Sequence, residues 1–349
     1  MKELAVLFPC YNGGARLRHS VESCAAAGLA PERYSLIVID NCSTDGSIEV
    51  LPPADSNGVP VQVYRNERNL GRVANWNRAL EIAEREGYQF AAFLFVGDTW
   101  APGSSIQDLL NLMHQSDAVL GMAPLRIVEE DSRRERDGAR ISIPGYSALV
   151  NSANLLEHVV RIGRLPFAPI QANIYRIFND RPLRFEHDPE RALNTDIEST
   201  VSWLRSHPGR IALMAAPFLV WSGYSGRFLS TQDPWYVLLE TRASLQRASE
   251  ATGVQVDWAS ANAVSLLTSA RELSSGEGWA KRCVFLYKVA RYLRSAPGGL
   301  AFGKFLRFTF NKLMHNQSYL SLSEDSALLL ERERRSSPGR AAVLTRYGL

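Results

Sequence analysis

The chain has 349 residues, 46% of them hydrophobic and 21% charged, with a formal net charge of +3. These proportions belong to an ordinary globular protein and exclude a disordered or collagen-like chain. No apolar run approaches the roughly 18 residues a spanning helix needs, and the run at 4–8 is too short for a signal-peptide core, so a cytoplasmic location is expected.

The first predicted strand is "LAVLFP" (4–9), closed by a proline and the turn "CYNGG", with a helix expected over 15–27. "YSLIVID" (34–40) reads as a second, fully apolar strand, followed by "NCSTDGS", whose residues are those that cap helices. Asp45 in that loop is expected, with Ser43 and Thr44, to cap a following helix rather than to touch a ligand. "VPVQVYR" (59–65) alternates like a less buried strand, and "GRVANWNRALEIAERE" (71–86) is helical, with Val73, Trp76, Leu80 and Ala83 on one face. "FAAFLFV" (90–96) is the fourth strand. The expected order βαβαβαβ, with continuous apolar strands, points to an α/β fold: a mostly parallel sheet with helices on both faces. Ligands then sit outside the carboxyl ends of the strands, in the loops "PCYNGG", "DNCSTDGS", "NLGRVANWN" and "VGDTW". Neither a G-x-G-x-x-G fingerprint nor a GxxxxGK[ST] loop is present, which removes the two commonest nucleotide-binding motifs.

Further on, a strand is expected at 118–128, a solvated charged loop at 129–140, a helix within 188–209 and a returning strand at 210–221. The remainder, from Pro234, is helical in composition. Cys10, Cys24, Cys42 and Cys283 lack CxxC spacing and read as reduced, buried small hydrophobes.

The four segments "VLFPCYNGG", "LIVIDNCSTDGS", "NLGRVANWNRAL" and "FLFVGDTWAP", in this order and spacing, resemble the nucleotide-sugar-binding half of an inverting family-2 glycosyltransferase of the GT-A (Rossmann-like) fold. The resemblance covers about residues 4–110, with a weaker echo to about 230. It implies a transferase unit over 1–233, divided into a nucleotide-sugar-binding half (1–115) and an acceptor half (116–233), and a helical C-terminal extension over 234–349. The implied reaction moves a sugar from a nucleotide-diphosphate sugar to a hydroxyl of a glycan or lipid-linked acceptor, with inversion. The setting would be bacterial cell-surface polysaccharide synthesis.

By the same resemblance Pro9, Tyr11 and Asn12 line the base and ribose pocket, and Asp40 accepts hydrogen bonds from base or ribose. Asn69, Gly71, Arg72 and Asn77 lie beside the diphosphate and sugar; Arg72 sits at a helix start, where backbone N–H groups already favour phosphate. For Asn75 and Asn77 a helix-surface position is the other reading, and Trp76 reads as core. Relatives carry a pair of acids where this chain has Val96, Gly97 and Asp98. Asp98 matches the last acid and is the metal ligand implied; Gly97 stands in its neighbour's place on the same donor-binding rim. Mg²⁺ or Mn²⁺ is the implied cofactor, because such ions bind through one or two carboxylates plus substrate phosphates.

Inverting transfer needs a general base near the acceptor hydroxyl. In "NTDIESTVSWL" the matching residue is Asp196, in the first turn of a helix, with Asp188 and Glu190 as fallbacks. Thr195 and Glu198 have the spacing of a capping box. Arg227, in "WSGYSGRFLS", is open to two readings, a diphosphate contact or loop surface.

Between 279 and 323 lie eight Lys and Arg and no acid. Lys281, Lys288 and Arg291 are expected on one helical face, opposite Val284, Phe285 and Leu286. Such a stretch either lies in a membrane interface or packs on the catalytic unit with a solvated basic face. No nucleic-acid module accompanies the charge, so nucleic acid is not an expected partner. A second functional class stays open beside the transferase: a non-catalytic nucleotide-sugar-binding relative acting as a sensor or partner subunit.

Overall fold

A computed structural model describes residues 3–129, 134–138, 141, 143, 146–167, 169–186, 194–223, 234–263, 265 and 279–299. Four parallel strands open the sheet: β1 (Leu4–Cys10), β2 (Tyr34–Asp40), β3 (Val61–Arg65) and β4 (Phe90–Phe93). Helix α1 (Gly14–Ala26) joins β1 to β2, and α2 (Arg72–Arg85) joins β3 to β4. After β5 (Thr99–Trp100) and α3 (Ile106–Ser116) come β6 (Leu120–Met122), β7 (Leu125–Glu129), β8 (Arg134–Gly138), β9 (Ser147–Asn151) and α4 (Ser152–Arg161). The chain continues through β10 (Asn173–Arg176), α5 (Thr195–Ser206), β11 (Arg210–Met214), β12 (Leu219–Gly223), α6 (Pro234–Thr252) and α7 (Trp279–Ser295).

Among the described residues eight strands make one sheet in the order β3-β2-β1-β4-β10-β6-β11-β9. Within it β10 is antiparallel to both of its neighbours and β9 to β11, so the sheet is mixed and mostly parallel. Alternate residues of each strand enter different layers, as a period of two requires. Leu4, Val6 and Phe8 of β1 pack with Leu17, Val21 and Cys24 of α1, while Ala5 and Leu7 pack with Val73, Trp76 and Leu80 of α2.

Four expectations change. The strands foreseen over 118–128 and 210–221 are each two strands, broken beside Pro124 and Pro217. A proline has no N–H to give a ladder, and at each break the chain leaves the large sheet for a second one, ordered β5-β12-β7-β8. The charged segment 129–140, expected as a solvated loop, supplies β8, which pairs antiparallel with β7. No helix lies between β2 and β3: Asp45 closes a local turn by accepting the Ser47 N–H at 3.0 Å, and Pro52 and Pro53 deny the segment a helical continuation. Finally, Cys42 is half-buried and Cys283 exposed, whereas Cys10 and Cys24 are buried as expected.

In α7 the periodicity argument also misplaced one residue. Val289 and Leu293 are buried against Leu238 of α6, with Phe285 packed beside them, but Val284 is exposed on the same side as Lys288 and Arg291. No helix among the described residues is long and apolar enough to cross a membrane.

Candidate active site

The strand register sets the rim. Cys10 of β1 stands beside Asp40 of β2, and Asp40 beside Arg65 of β3, so the loops that follow leave from one edge. The first two are laced together by their own polar groups: Asn12 N–H donates to Ser43 Oγ at 2.9 Å, Thr44 N–H to Asn12 Oδ1 at 2.9 Å, and Gly13 N–H to Ser47 Oγ at 2.8 Å. Asn12 is held at φ 51°, in the left-handed region that Asn tolerates best after glycine. This lacing leaves the Tyr11 ring 53% exposed at the edge, with Pro9 half-buried behind it. An exposed aromatic ring on a rigid turn is a surface on which a flat base can stack.

Asp40 is fully buried. Its Oδ1 accepts from Ser43 N–H at 2.9 Å, and its Oδ2 lies 3.2 Å from Arg65 Nε without a well-directed hydrogen bond. Arg65, about half exposed, also donates to the Ser43 carbonyl at 2.8 Å. A ligand N–H or O–H reaching Asp40 would take the place of Arg65. The sequence reading missed Arg65; the signal available was that Asp40 and Arg65 each end a strand.

Asn69 is exposed, and its side chain braces the third loop. Its Oδ1 accepts from Asn41 Nδ2 at 2.7 Å and Gly71 N–H at 2.8 Å, and Asn41 Oδ1 takes Asn66 Nδ2 at 3.0 Å and Leu70 N–H at 2.8 Å. Asn75, expected on the helix surface, is buried: it accepts from Asn66 Nδ2 at 2.8 Å and donates to the Ile39 carbonyl at 3.1 Å. Gly71 caps α2 at φ 82°, a conformation only glycine takes without strain, and the space around it is open. Arg72 then starts the helix, its guanidinium 5.0 Å from the Trp76 ring centre. Trp76 is core, as read from the sequence, stacked 5.1 Å from Phe95.

Asn77, read as a donor-side or helix-surface residue, is half-buried with its amide engaged inside the protein. Its Nδ2 donates to the Phe185 carbonyl at 2.8 Å and its Oδ1 accepts the Phe185 N–H at 2.8 Å, so the amide clasps a backbone segment far away in sequence.

Asp196 opens α5 and is half-buried, its Oδ1 accepting the Ile197 N–H at 2.9 Å. It lies close enough to Arg72 to act on it: burial pushes the Arg72 guanidinium below its ordinary pKa, and the Asp196 charge opposes that shift. The capping box is absent. Asn194 holds the cap position, Thr195 Oγ1 donates to the Glu186 carbonyl, and Glu198 receives Arg247 at 2.6 and 2.9 Å and Ser244 Oγ at 2.6 Å from α6. Glu198 therefore joins two helices, whereas Asp196 is the acid of this turn whose charge is felt at Arg72. Asp188, Glu190 and Arg227 lie outside the described residues.

The fourth loop departs most from expectation. Gly97 has φ 89° and gives its N–H to Ser20 Oγ at 3.0 Å, and the Asp98 N–H closes a turn on the Phe95 carbonyl at 2.9 Å. An acid at position 97 would be strained in that backbone. Asp98 is turned into packed protein: 0% exposed, with Oδ2 accepting from Gln171 Nε2 at 2.8 Å and Oδ1 from the Ser222 N–H at 3.1 Å. Among the described residues no group of three His, Cys, Asp or Glu side chains could hold a metal ion. Asp98, read from the resemblance as the metal ligand, has one protein donor on each oxygen, which tie strand β12 and the approach to β10 to the β4 turn, so a divalent ion reaching it would have to open this packed turn. Gln171 and Ser222 were not foreseen: Gln171 lies in no motif, and Ser222 contributes its backbone N–H, which residue type does not announce.

The family model "Glycosyl transferase family 2" matches residues 5–165. A putative teichuronic acid biosynthesis glycosyltransferase, TuaG of Bacillus subtilis, is 28% identical over 115 residues, 33% of this chain and 44% of that protein. An uncharacterized protein of Mycobacterium tuberculosis is 27% identical over 144 residues, 40% of this chain and 41% of its own length. The chain thus spans less than half the length of these curated relatives. Among solved structures, S. aureus TarS 1-349 in complex with UDP-GlcNAc superposes with a TM-score of 0.52 at 15% identity, over 91% of this chain and 93% of that one, which is a likeness of fold.

Proposed function

Because residues 5–165 form a family 2 glycosyltransferase domain, of an inverting family, we propose that this protein transfers a sugar from a nucleotide-diphosphate sugar to a hydroxyl of a cell-surface glycan or lipid-linked acceptor. What supports the proposal is that Arg72 opens α2 and Asp196 opens α5, close enough for the charge of one to act on the other. A cation and a carboxylate at one rim supply the two charges that inversion requires. On this reading Tyr11, Pro9 and Asn12 take the base and ribose, and Asp40 accepts a hydrogen bond from one of them once Arg65 is displaced. Arg72 and the N–H groups beside Gly71 meet the diphosphate. Asp196 accepts the acceptor's hydroxyl proton as its oxygen bonds to the anomeric carbon, and the bond to the diphosphate breaks with its electron pair leaving on phosphate. The transferase unit is 1–233, followed by an extension that carries α6 and α7. The kinship with TuaG supports a cell-surface polysaccharide as the product's destination.

The test is a panel of UDP- and GDP-sugars assayed for nucleoside diphosphate release. One donor is expected to turn over, and Arg72→Met to raise its KM by roughly 10- to 100-fold, the worth of a charge-assisted hydrogen bond. Tight donor binding without turnover, with any acceptor offered, would favour the non-catalytic sensor instead.

The outer face of α7 supports a place at an anionic membrane surface. Val284 and Tyr287 are 55% and 66% exposed, among exposed Lys288, Arg291 and Arg294. Apolar and aromatic side chains set between cations suit a lipid headgroup boundary. The full chain is expected to float with phosphatidylglycerol vesicles and not with phosphatidylcholine vesicles, and Tyr287→Ala with Lys288→Glu to abolish it. Equal partition to both lipids, or to neither, would remove the membrane from the account.

A further inference from the structure

We propose that Asn77 and the Glu84–Arg184 pair are positioning residues that hold Asp196 opposite Arg72. The proposal rests on the reading of Asp196 as the base and assigns work to side chains well away from the reacting atoms.

Residues 184–186 run alongside α2, from near its carboxyl end back toward its start. Arg184 grips Glu84 with both terminal guanidinium nitrogens, at 2.6 and 2.6 Å, and the pair is partly buried. The Asn77 amide, two turns nearer the helix start, pairs with both backbone groups of Phe185, at 2.8 and 2.8 Å, as a neighbouring strand would. The Phe185 ring is buried against Trp76, with ring centres 5.5 Å apart, and Trp76 carries the Arg72 guanidinium at 5.0 Å. On its other side the same segment takes hold of α5: the Glu186 N–H donates to Ser199 Oγ at 3.1 Å, and its carbonyl accepts from Thr195 Oγ1. Thr195 and Ser199 bracket Asp196 in the first turn.

The path from α2 to the carboxylate is therefore closed at both ends. Starting at Arg72, it passes down α2 to Asn77 and Glu84, across to 184–186, and into the turn that bears Asp196. Each joint is a paired or reciprocal hydrogen bond, which fixes direction as well as distance. Without the clasp at Asn77 the segment would keep the Arg184 pair and the packing of the Phe185 ring on Trp76 but lose the two directed bonds that fix its backbone against α2, and the first turn of α5 could shift with it. A displacement of about 1 Å at a reacting group costs on the order of 100-fold in rate.

The experiment uses the full chain and two independent readouts. In steady-state assays with the active donor, Asn77→Ala is expected to lower kcat by about 10- to 100-fold, with donor KM and UDP Kd within about twofold. Glu84→Arg and Arg184→Glu should each lower kcat, and the swapped pair together should recover it, which separates positioning from failure to fold. Independently of turnover, Arg72→Met and Asp196→Asn should shift Tm non-additively in the wild-type background and additively in Asn77→Ala. An unchanged kcat in Asn77→Ala, no recovery in the swapped pair, or Arg72–Asp196 coupling that survives the loss of Asn77 overturns the proposal. Coupling that depends on Asn77 in a protein that transfers no sugar would sustain the positioning role and sink the catalytic reading.

Discussion

Asp196→Asn is expected to lower kcat by roughly 100- to 10,000-fold, the usual worth of a general base, while UDP binding changes little. Asparagine matches the carboxylate in shape and its oxygen can still accept the Ile197 N–H, so α5 should begin as before. What disappears is the group able to take a proton. Loss concentrated in kcat is the mark of an interaction made in the transition state, whereas a parallel loss of UDP affinity would make Asp196 a donor-binding residue. Glu198, two residues on, is no substitute: its two oxygens are committed to Arg247 and Ser244. A variant with wild-type kcat would end the assignment.

The second large effect concerns Asp98, and it separates two roles that the family pattern merges. Asp98→Ala leaves the Gln171 amide and the Ser222 N–H in packed protein without their acceptor, each at a cost of about 1–3 kcal/mol. Thermal unfolding should therefore move down by several degrees, about 2–4 °C per kcal/mol lost in a domain of roughly this size. UDP affinity of the wild-type protein should be the same with Mn²⁺ as with EDTA, because the carboxylate is fully buried and each oxygen already accepts from a protein donor. Tighter UDP binding in Mn²⁺ that vanishes in Asp98→Asn, with Tm unaltered, would show instead that the ion displaces Gln171 and Ser222. In that event Asp98 would be a metal ligand after all.

Both predictions depend on tertiary contacts that no local pattern announces. The strands were legible for a plain reason: a strand buried on both faces is an unbroken apolar run, and "LAVLFPC", "YSLIVID" and "FAAF" are such runs. Their order and parallel sense place "PCYNGG", "DNCSTDGS" and the start of α2 along one edge, so the rim itself was readable. The sheet change at Pro124 and Pro217 had a signal too, since a proline rarely lies inside a central strand. The missing helix after β2 was foreshadowed by Pro52 and Pro53, although the capping residues before them suggested otherwise.

The fate of individual polar side chains was a different matter. Asn69, Asn75 and Asn77 stand close together in one motif, yet one braces its own loop, one is buried in an asparagine network and one clasps Phe185, 108 residues on. Asp98 finds its partners 73 and 124 residues away. Glu198 has the spacing of a cap, but the stronger attraction of a guanidinium on α6 claims it.

The sequence by itself determined the layers, the direction of the first four strands and the edge at which a ligand is met, because apolar periodicity acts over a few neighbouring residues. Only the tertiary structure decided which polar groups face that edge and which are consumed inside. A carboxylate or amide is satisfied by whichever donor the fold brings to it, and that donor can come from anywhere in the chain.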